Sequence, residues 1–77
     1  MAQYVVTPDE FKELKNRFTY HAPKGDQQER YVQLRQHGFD LALHISTMVP
    51  PGRERALALT NLEQAIFWAN AGIARGE

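Results

Sequence analysis

Apolar positions along the chain recur at helical spacing in three stretches, separated by two short breaks. Phe11, Leu14 and Phe18 stand three and four apart, so one face of a short helix over about 8–17 can dock on the rest of the protein. Thr7 before Pro8, with Glu10 three residues after the threonine, gives that helix an N-cap, a proline at its first position and a capping box. A connector, 18–26, interrupts the pattern, because Pro23 disfavours a helical conformation at Ala22 and Gly25 loosens the chain. Asp26 and Glu29 repeat the cap arrangement. A second helix is then expected over about 27–49, with Tyr31, Leu34, Leu41, Ala42, Ile45 and Met48 inward and Gly38 on the same stripe. "PPG" at 50–52 leaves room only for a reversal into an antiparallel neighbour. In the third helix, about 53–75, Leu59, Leu62, Ile66, Ala69 and Ile73 alternate steps of three and four, the seam of a coiled-coil-like hairpin. The pattern predicts an all-α fold: a short N-terminal helix followed by an antiparallel two-helix hairpin.

The third helix carries a second stripe. Ala58, Ala65 and Gly72 fall seven apart, with Ala69, Ala71, Phe67 and Trp68 beside them. A two-helix hairpin has one inside and much outside, so apolar residues on both flanks imply other chains, and we expect a homo-oligomer. The plainer alternative is that these alanines are only good helix formers and Trp68 completes the chain's own core.

Size and composition sharpen that expectation. A unit of 77 residues folding alone buries only about 60% of its unfolded surface. There is no cysteine, hence neither a disulfide nor a thiolate zinc site, and oligomerisation is the remaining support. Nine basic residues balance nine acidic ones, which argues against a general DNA or RNA binder but leaves room for a local cationic pocket. No apolar run approaches the roughly 20 residues of a membrane span, and "MAQYVVTPDE" lacks a signal-peptide pattern, so the chain reads as soluble and cytoplasmic.

Candidate chemistry is sparse. His37, Asp40 and His44 share one face of the second helix at a spacing that could hold a divalent metal, but such a trio is more often a solvated polar stripe and no fourth ligand is evident. No nucleophile elbow or phosphate-binding loop is present, so no catalytic residue and no cofactor is assigned. The connector is more informative. Phe18 and Tyr20 alternate about Thr19; Phe18 is expected to pack, and Tyr20, beside His21 and Pro23, to offer a ring face for stacking on a base. Arg17, Lys24, Arg30 and Arg35 flank it. On their own these charges also read as a solubilising surface laced with Asp26 and Glu29.

The runs "NRFTYHAPKGDQQERY" and "PPGRERALALTNLEQAIFWANAGIAR", with the small size, resemble the phage anti-CBASS cyclic-oligonucleotide sponge family, over about 16–75. CBASS is a bacterial defence in which an infected cell makes cyclic nucleotides that trigger its own death. The resemblance implies a helical hexamer, in the cytoplasm of the infected bacterial host, that sequesters cyclic dinucleotides such as cyclic GMP-AMP without cleaving them, with separate sites for cyclic trinucleotides in some members. It implies that Tyr20 stacks on a base, that His21 and Pro23 shape the pocket with Lys24 nearby, and that Arg35 meets phosphate or a base edge from the partner chain. Arg75, ending "GIAR", would lie toward a trinucleotide site. Ala22 stands where the family's commoner "YHPP" form has proline, which would loosen the pocket lip. The rival reading is a structural or protein-interaction module with no nucleotide ligand, its second apolar face docked on another protein.

Overall fold

The computed structural model describes residues 3–77. Three helices occur in the order α1 (Pro8–Arg17), α2 (Gln27–Met48) and α3 (Arg53–Gly76), and no strand is present among the described residues. The fold is all-α, with α2 and α3 as an antiparallel hairpin. At 1.5 Å per residue these two helices run about 33 and 36 Å, and the chain forms a slab of 50 × 42 × 13 Å, one helix thick.

Each helix end is held by specific chemistry. At α1, the Glu10 amide donates to Thr7 Oγ1 (3.1 Å) and the Thr7 amide to Glu10 Oε1 (3.2 Å), completing the capping box around Pro8. At α2, Asp26 occupies the cap position but its side chain caps no amide; Oδ1 faces Arg30 Nη2 at 3.2 Å instead. Gln27 takes over. Its Oε1 accepts the Lys24 amide (3.1 Å), its own amide donates to the Lys24 carbonyl (3.1 Å), and Gly25 makes the intervening turn at φ 57°, where a side chain would be strained. Gln27 is 3% exposed, and its Nε2 donates to Glu77 Oε1 at 3.2 Å, so the buried amide is partnered at both ends.

The hairpin is stitched at both ends and packed between. Near the Pro50–Gly52 turn, Arg55 Nη1 reaches back to the carbonyls of Ser46 (3.0 Å) and Val49 (3.3 Å). α2 has no basic residue in its last turn, so Arg55 from α3 supplies the cation that a helix C-terminus favours. At the open end Arg30 binds Glu77 with two hydrogen bonds, Nη1 to Oε2 (2.8 Å) and Nη2 to Oε1 (2.5 Å). Between them Gly38 is buried against Ile66: a Cβ on Gly38 would stand 2.8 Å from Ile66 Cγ1 and 3.1 Å from Cδ1.

The seam departs from the spacing in places. Tyr31, Leu34, Ala42 and Ile45 of α2 and Leu59, Leu62, Ile66 and Ile73 of α3 are partly covered, but Leu41, Met48 and Ala69 are exposed. Asn70 takes the half-buried place that Ala69 was expected to hold. A straight α-helix drifts against a strict 3.5-residue repeat, so the inward position after Ile66 falls on Asn70 rather than Ala69, with Ile73 still covered.

No apolar side chain is fully buried among the described residues. The expectation that α1 docks on the rest of the chain is not met, since Phe11 and Leu14 are exposed. α1 reaches the hairpin through Asn16 Nδ2, which donates to the Arg75 carbonyl at 3.4 Å. The radius of gyration is 17.4 Å, against about 11.5 Å for a compact domain of this length. Apolar faces lie open on α1 and on the outer side of α3, where Trp68 is 67% exposed.

Two outcomes test this packing. Gly38→Ala gains up to about 1 kcal/mol of helix propensity but forces Ile66 aside at a cost of about 1 to 3 kcal/mol. It is expected to lower the melting temperature, and to lower it less when Ile66 is already Ala; additive losses in the double-mutant cycle would deny the contact. For the clasp, the hydrogen bonds from Arg30 and then Gln27 hold the Glu77 carboxyl down at about 2, against an ordinary 4.5, and the bond to Glu77 holds the Arg30 guanidinium above its ordinary value. A depressed carboxyl stabilises fully above its unfolded value and loses that contribution as pH falls through its folded value. Melting temperatures should therefore fall as pH drops from 4.5 toward 2, and Glu77→Gln should flatten part of that fall; an unchanged slope would show the clasp to be idle.

Candidate functional site

The connector is folded back on α1 by two bonds that alternate along it. Thr19 Oγ1 donates to the Lys15 carbonyl (2.5 Å), and His21 Nε2 donates to the Asn16 carbonyl (2.8 Å). Both carbonyls belong to the last turn of α1, which has no helical donors left for them. With Thr19 and His21 committed to one side, the residues between and before them face away: Tyr20 is 82% exposed and Phe18 85% exposed. The alternation expected of an extended segment is present. Phe18, expected to pack, touches no core of this chain, because α1 and the hairpin leave no apolar surface beneath it.

Tyr20 and His21 border a cleft of about 340 Å³ closed by α2 and α3. From α2 come Tyr31 and Arg35, one turn apart on the same face. From α3 come Asn70 and Arg75, with Ala71 and Ala74 keeping the floor low. Arg17 from the end of α1 completes the rim. Four sequence-predicted residues, Tyr20, His21, Arg35 and Arg75, thus meet at one place, while Pro23 and Lys24 do not line it.

The charge there is one-sided. A chain with nine acids and nine bases brings three arginines and no carboxylate to the cleft wall. Arg17 is paired with Glu13 at 2.6 Å. Arg35 and Arg75 make no ion pair among the described residues. Two uncommitted guanidiniums beside the exposed Tyr20 ring and the partly covered Tyr31 form a surface suited to an anion that also carries flat rings.

With this geometry in place, the comparison with known families is decisive: the sequence profile of the Acb2/Tad1 hairpin domain matches residues 12–74, more than half of the chain. The chain belongs to the Acb2/Tad1 family. These are the anti-CBASS sponges that the connector and third-helix motifs resemble. No curated protein and no solved structure matches the chain. The match begins inside α1 and runs to within a few residues of the end of α3, so it covers the residues lining the cleft except Arg75. For a member of the Acb2/Tad1 family the cleft is a candidate nucleotide site.

Arg75 borders a second surface as well. It lies beside a depression on the outer face of α3 formed with Glu63, Gln64, Phe67, Trp68 and Ala71. Arg35 likewise reaches the groove over Gly38, with Phe39, Ile66 and Phe67. As for the metal alternative, Asp40 Oδ1 accepts from Gln36 Nε2 at 2.9 Å, and no group of His, Asp and Glu is arranged to hold an ion among the described residues. No helix among them is long and apolar enough to cross a membrane.

Sequence reasoning placed Tyr31 in the seam and passed over Asn70. The heptad pattern marks Tyr31 as inward, yet its position one turn before Arg35 was a signal that its edge reaches the same surface. Asn70 carried a signal too, as a polar residue beside a row of apolar seam positions.

Proposed function

We propose that the chain captures cyclic dinucleotides such as cyclic GMP-AMP in the Tyr20 cleft and holds them without chemical change, withdrawing the signal of an antiviral defence. The observation that carries this reading is the gathering of Tyr20, Tyr31, Arg35 and Arg75 in one acid-free cleft on a chain of zero formal net charge. Local positive charge attracts a small dianion, and the balanced remainder spares the protein from titration by cellular RNA.

A cleft of about 340 Å³ sits at the low end of the roughly 300 to 1,000 Å³ typical of ligand sites. It suits one half of a cyclic dinucleotide. Two copies facing one another would give each base and each phosphate the same residues twice, matching the approximate two-fold symmetry of the ligand. Stacking contributes about 1 to 3 kcal/mol per base and a hydrogen bond to a charged group about 1.5 to 3 kcal/mol. Nanomolar capture needs about 12 kcal/mol net, so two stacks and two to four such bonds suffice only where the pocket is already ordered. The bonds from Thr19 and His21 to the end of α1 support that requirement. His21 acts in this reading by orienting Tyr20, and Pro23 and Lys24 by setting the path of the chain out of the cleft.

The assembly that brings two clefts together is part of the proposal, with a hexamer as the family's form and the exposed apolar faces of α1 and α3 as its contacts. Cyclic trinucleotides would use the Arg75 side of α3, where Phe67 and Trp68 offer further ring surface.

Isothermal titration with cyclic dinucleotides, followed by heat release and chromatography of the ligand, tests the reading. Intact ligand at about one per two chains is expected, and Tyr20→Ala is expected to weaken binding roughly 30-fold or more, from two lost stacks. Unchanged affinity in that variant would remove the stacking role. No heat and no rise in melting temperature with any cyclic nucleotide would return the chain to the class of oligomeric scaffolds.

A further inference from the structure

The backbone around Arg75 is held from two sides while its side chain is left free. On one side the Asn16 side chain donates to the Arg75 carbonyl at 3.4 Å. On the other, two residues on, Glu77 accepts from both terminal nitrogens of Arg30, at 2.8 and 2.5 Å, and from Gln27 Nε2 at 3.2 Å. Arg75 itself makes no ion pair among the described residues, and it lines the cleft with Ala71 and Ala74. Gln27 also accepts the Lys24 amide. The clasp therefore joins the last turn of α3 to the start of α2 and to the connector that carries Tyr20 and His21.

That turn has little helical preference of its own. Gly72 and Gly76 bracket Arg75, and glycine inside a helix is unfavourable relative to alanine. Neither is needed for packing within the chain: a Cβ at either position would meet nothing within 4 Å. Gly76 is not in the left-handed conformation by which glycine commonly ends a helix. Helix ends fray where nothing holds them, so the order of this turn comes from its ties. A guanidinium gripping a carboxylate with two parallel bonds is the strong form of such a tie.

We infer that Arg30 and Glu77 are positioning residues of the cleft: their clasp holds the last turn of α3 so that the Arg75 guanidinium is presented to the ligand's phosphate. The assignment rests on the cyclic dinucleotide reading above and deepens it. Neither Arg30 nor Glu77 lines the cleft, so their effect on the ligand passes through Arg75. A guanidinium offered from an ordered turn binds at less cost than one whose backbone the ligand must first order. The coupling runs both ways, and phosphate held by Arg75 strengthens the clasp in turn.

Titration with cyclic GMP-AMP well below the melting temperature, joined to hydrogen exchange on the free proteins, separates positioning from stability. Glu77→Ala is expected to speed amide exchange over 73–77 and to lower affinity roughly fivefold for each cleft the ligand occupies. In an Arg75→Ala background the same substitution should change affinity by less than about twofold. Adding Gly76→Ala to Glu77→Ala restores helix preference without the clasp and is expected to recover most of the lost affinity. Arg30→Lys keeps the charge and loses the paired geometry, and it should reproduce the loss in a fully folded protein. Unchanged exchange over 73–77, unchanged affinity in Glu77→Ala and Arg30→Lys, an equal loss with and without Arg75, or no recovery on adding Gly76→Ala would overturn the positioning role while leaving the sponge intact. Wild type that binds neither cyclic GMP-AMP nor any other cyclic dinucleotide would overturn the sponge reading and this assignment with it.

Discussion

Two helices in a hairpin have a single shared face, and in this chain that face is the whole of the interior. No apolar side chain is fully buried among the described residues, and the slab is one helix thick. What holds the pair is close approach at one point, Gly38 against Ile66, and polar ties at the two ends, Arg55 at the turn and Gln27, Arg30 and Glu77 at the opening. The end ties are partly exposed and worth little individually. Their value is positional: they fix the register of α2 against α3, and the register decides that Tyr31 and Arg35 stand opposite Asn70 and Arg75.

The cleft inherits its order from the same economy. α1 has few contacts with the hairpin, yet Asn16 links it to both parts, through its side chain to the Arg75 carbonyl and through its own carbonyl to His21. Thr19 and His21 use the unfilled carbonyls of α1 to set the connector's alternation, and Tyr20 is turned outward as a result. A ring that is 82% exposed has no structural role in the free chain. Its exposure is consistent with a ligand or another copy as its intended neighbour.

Much of the fold was legible because its determinants are local. Thr7, Pro8 and Glu10 announce the start of α1, "PPG" announces the reversal, and Gly38 on an apolar stripe announces close approach. The Asp26 cap was misread because its carboxylate faces Arg30, which also holds Glu77, a contact 47 residues along the chain that no local pattern records. Ala69 and Asn70 were exchanged because steps of three and four cannot fix which of two neighbours faces inward once the stripe drifts. Phe18 and the apolar face of α1 were expected to be covered, and the single chain contains nothing to cover them. Tyr20, Arg35 and Arg75 were placed by resemblance to a family; their meeting in one cleft is a property of the hairpin register, which spacing alone does not give.

The proposed capture of a cyclic dinucleotide requires further copies of this hairpin, which would cover its open faces and complete its cleft. Sedimentation velocity over a dilution series, with helical circular dichroism recorded on the same samples, tests that most directly. The account predicts a species several times the 8.8 kDa chain mass whose helicity falls as it dissociates, since the separated chain has too little interior to hold itself. A folded, fully helical 8.8 kDa monomer that persists at all concentrations would contradict it.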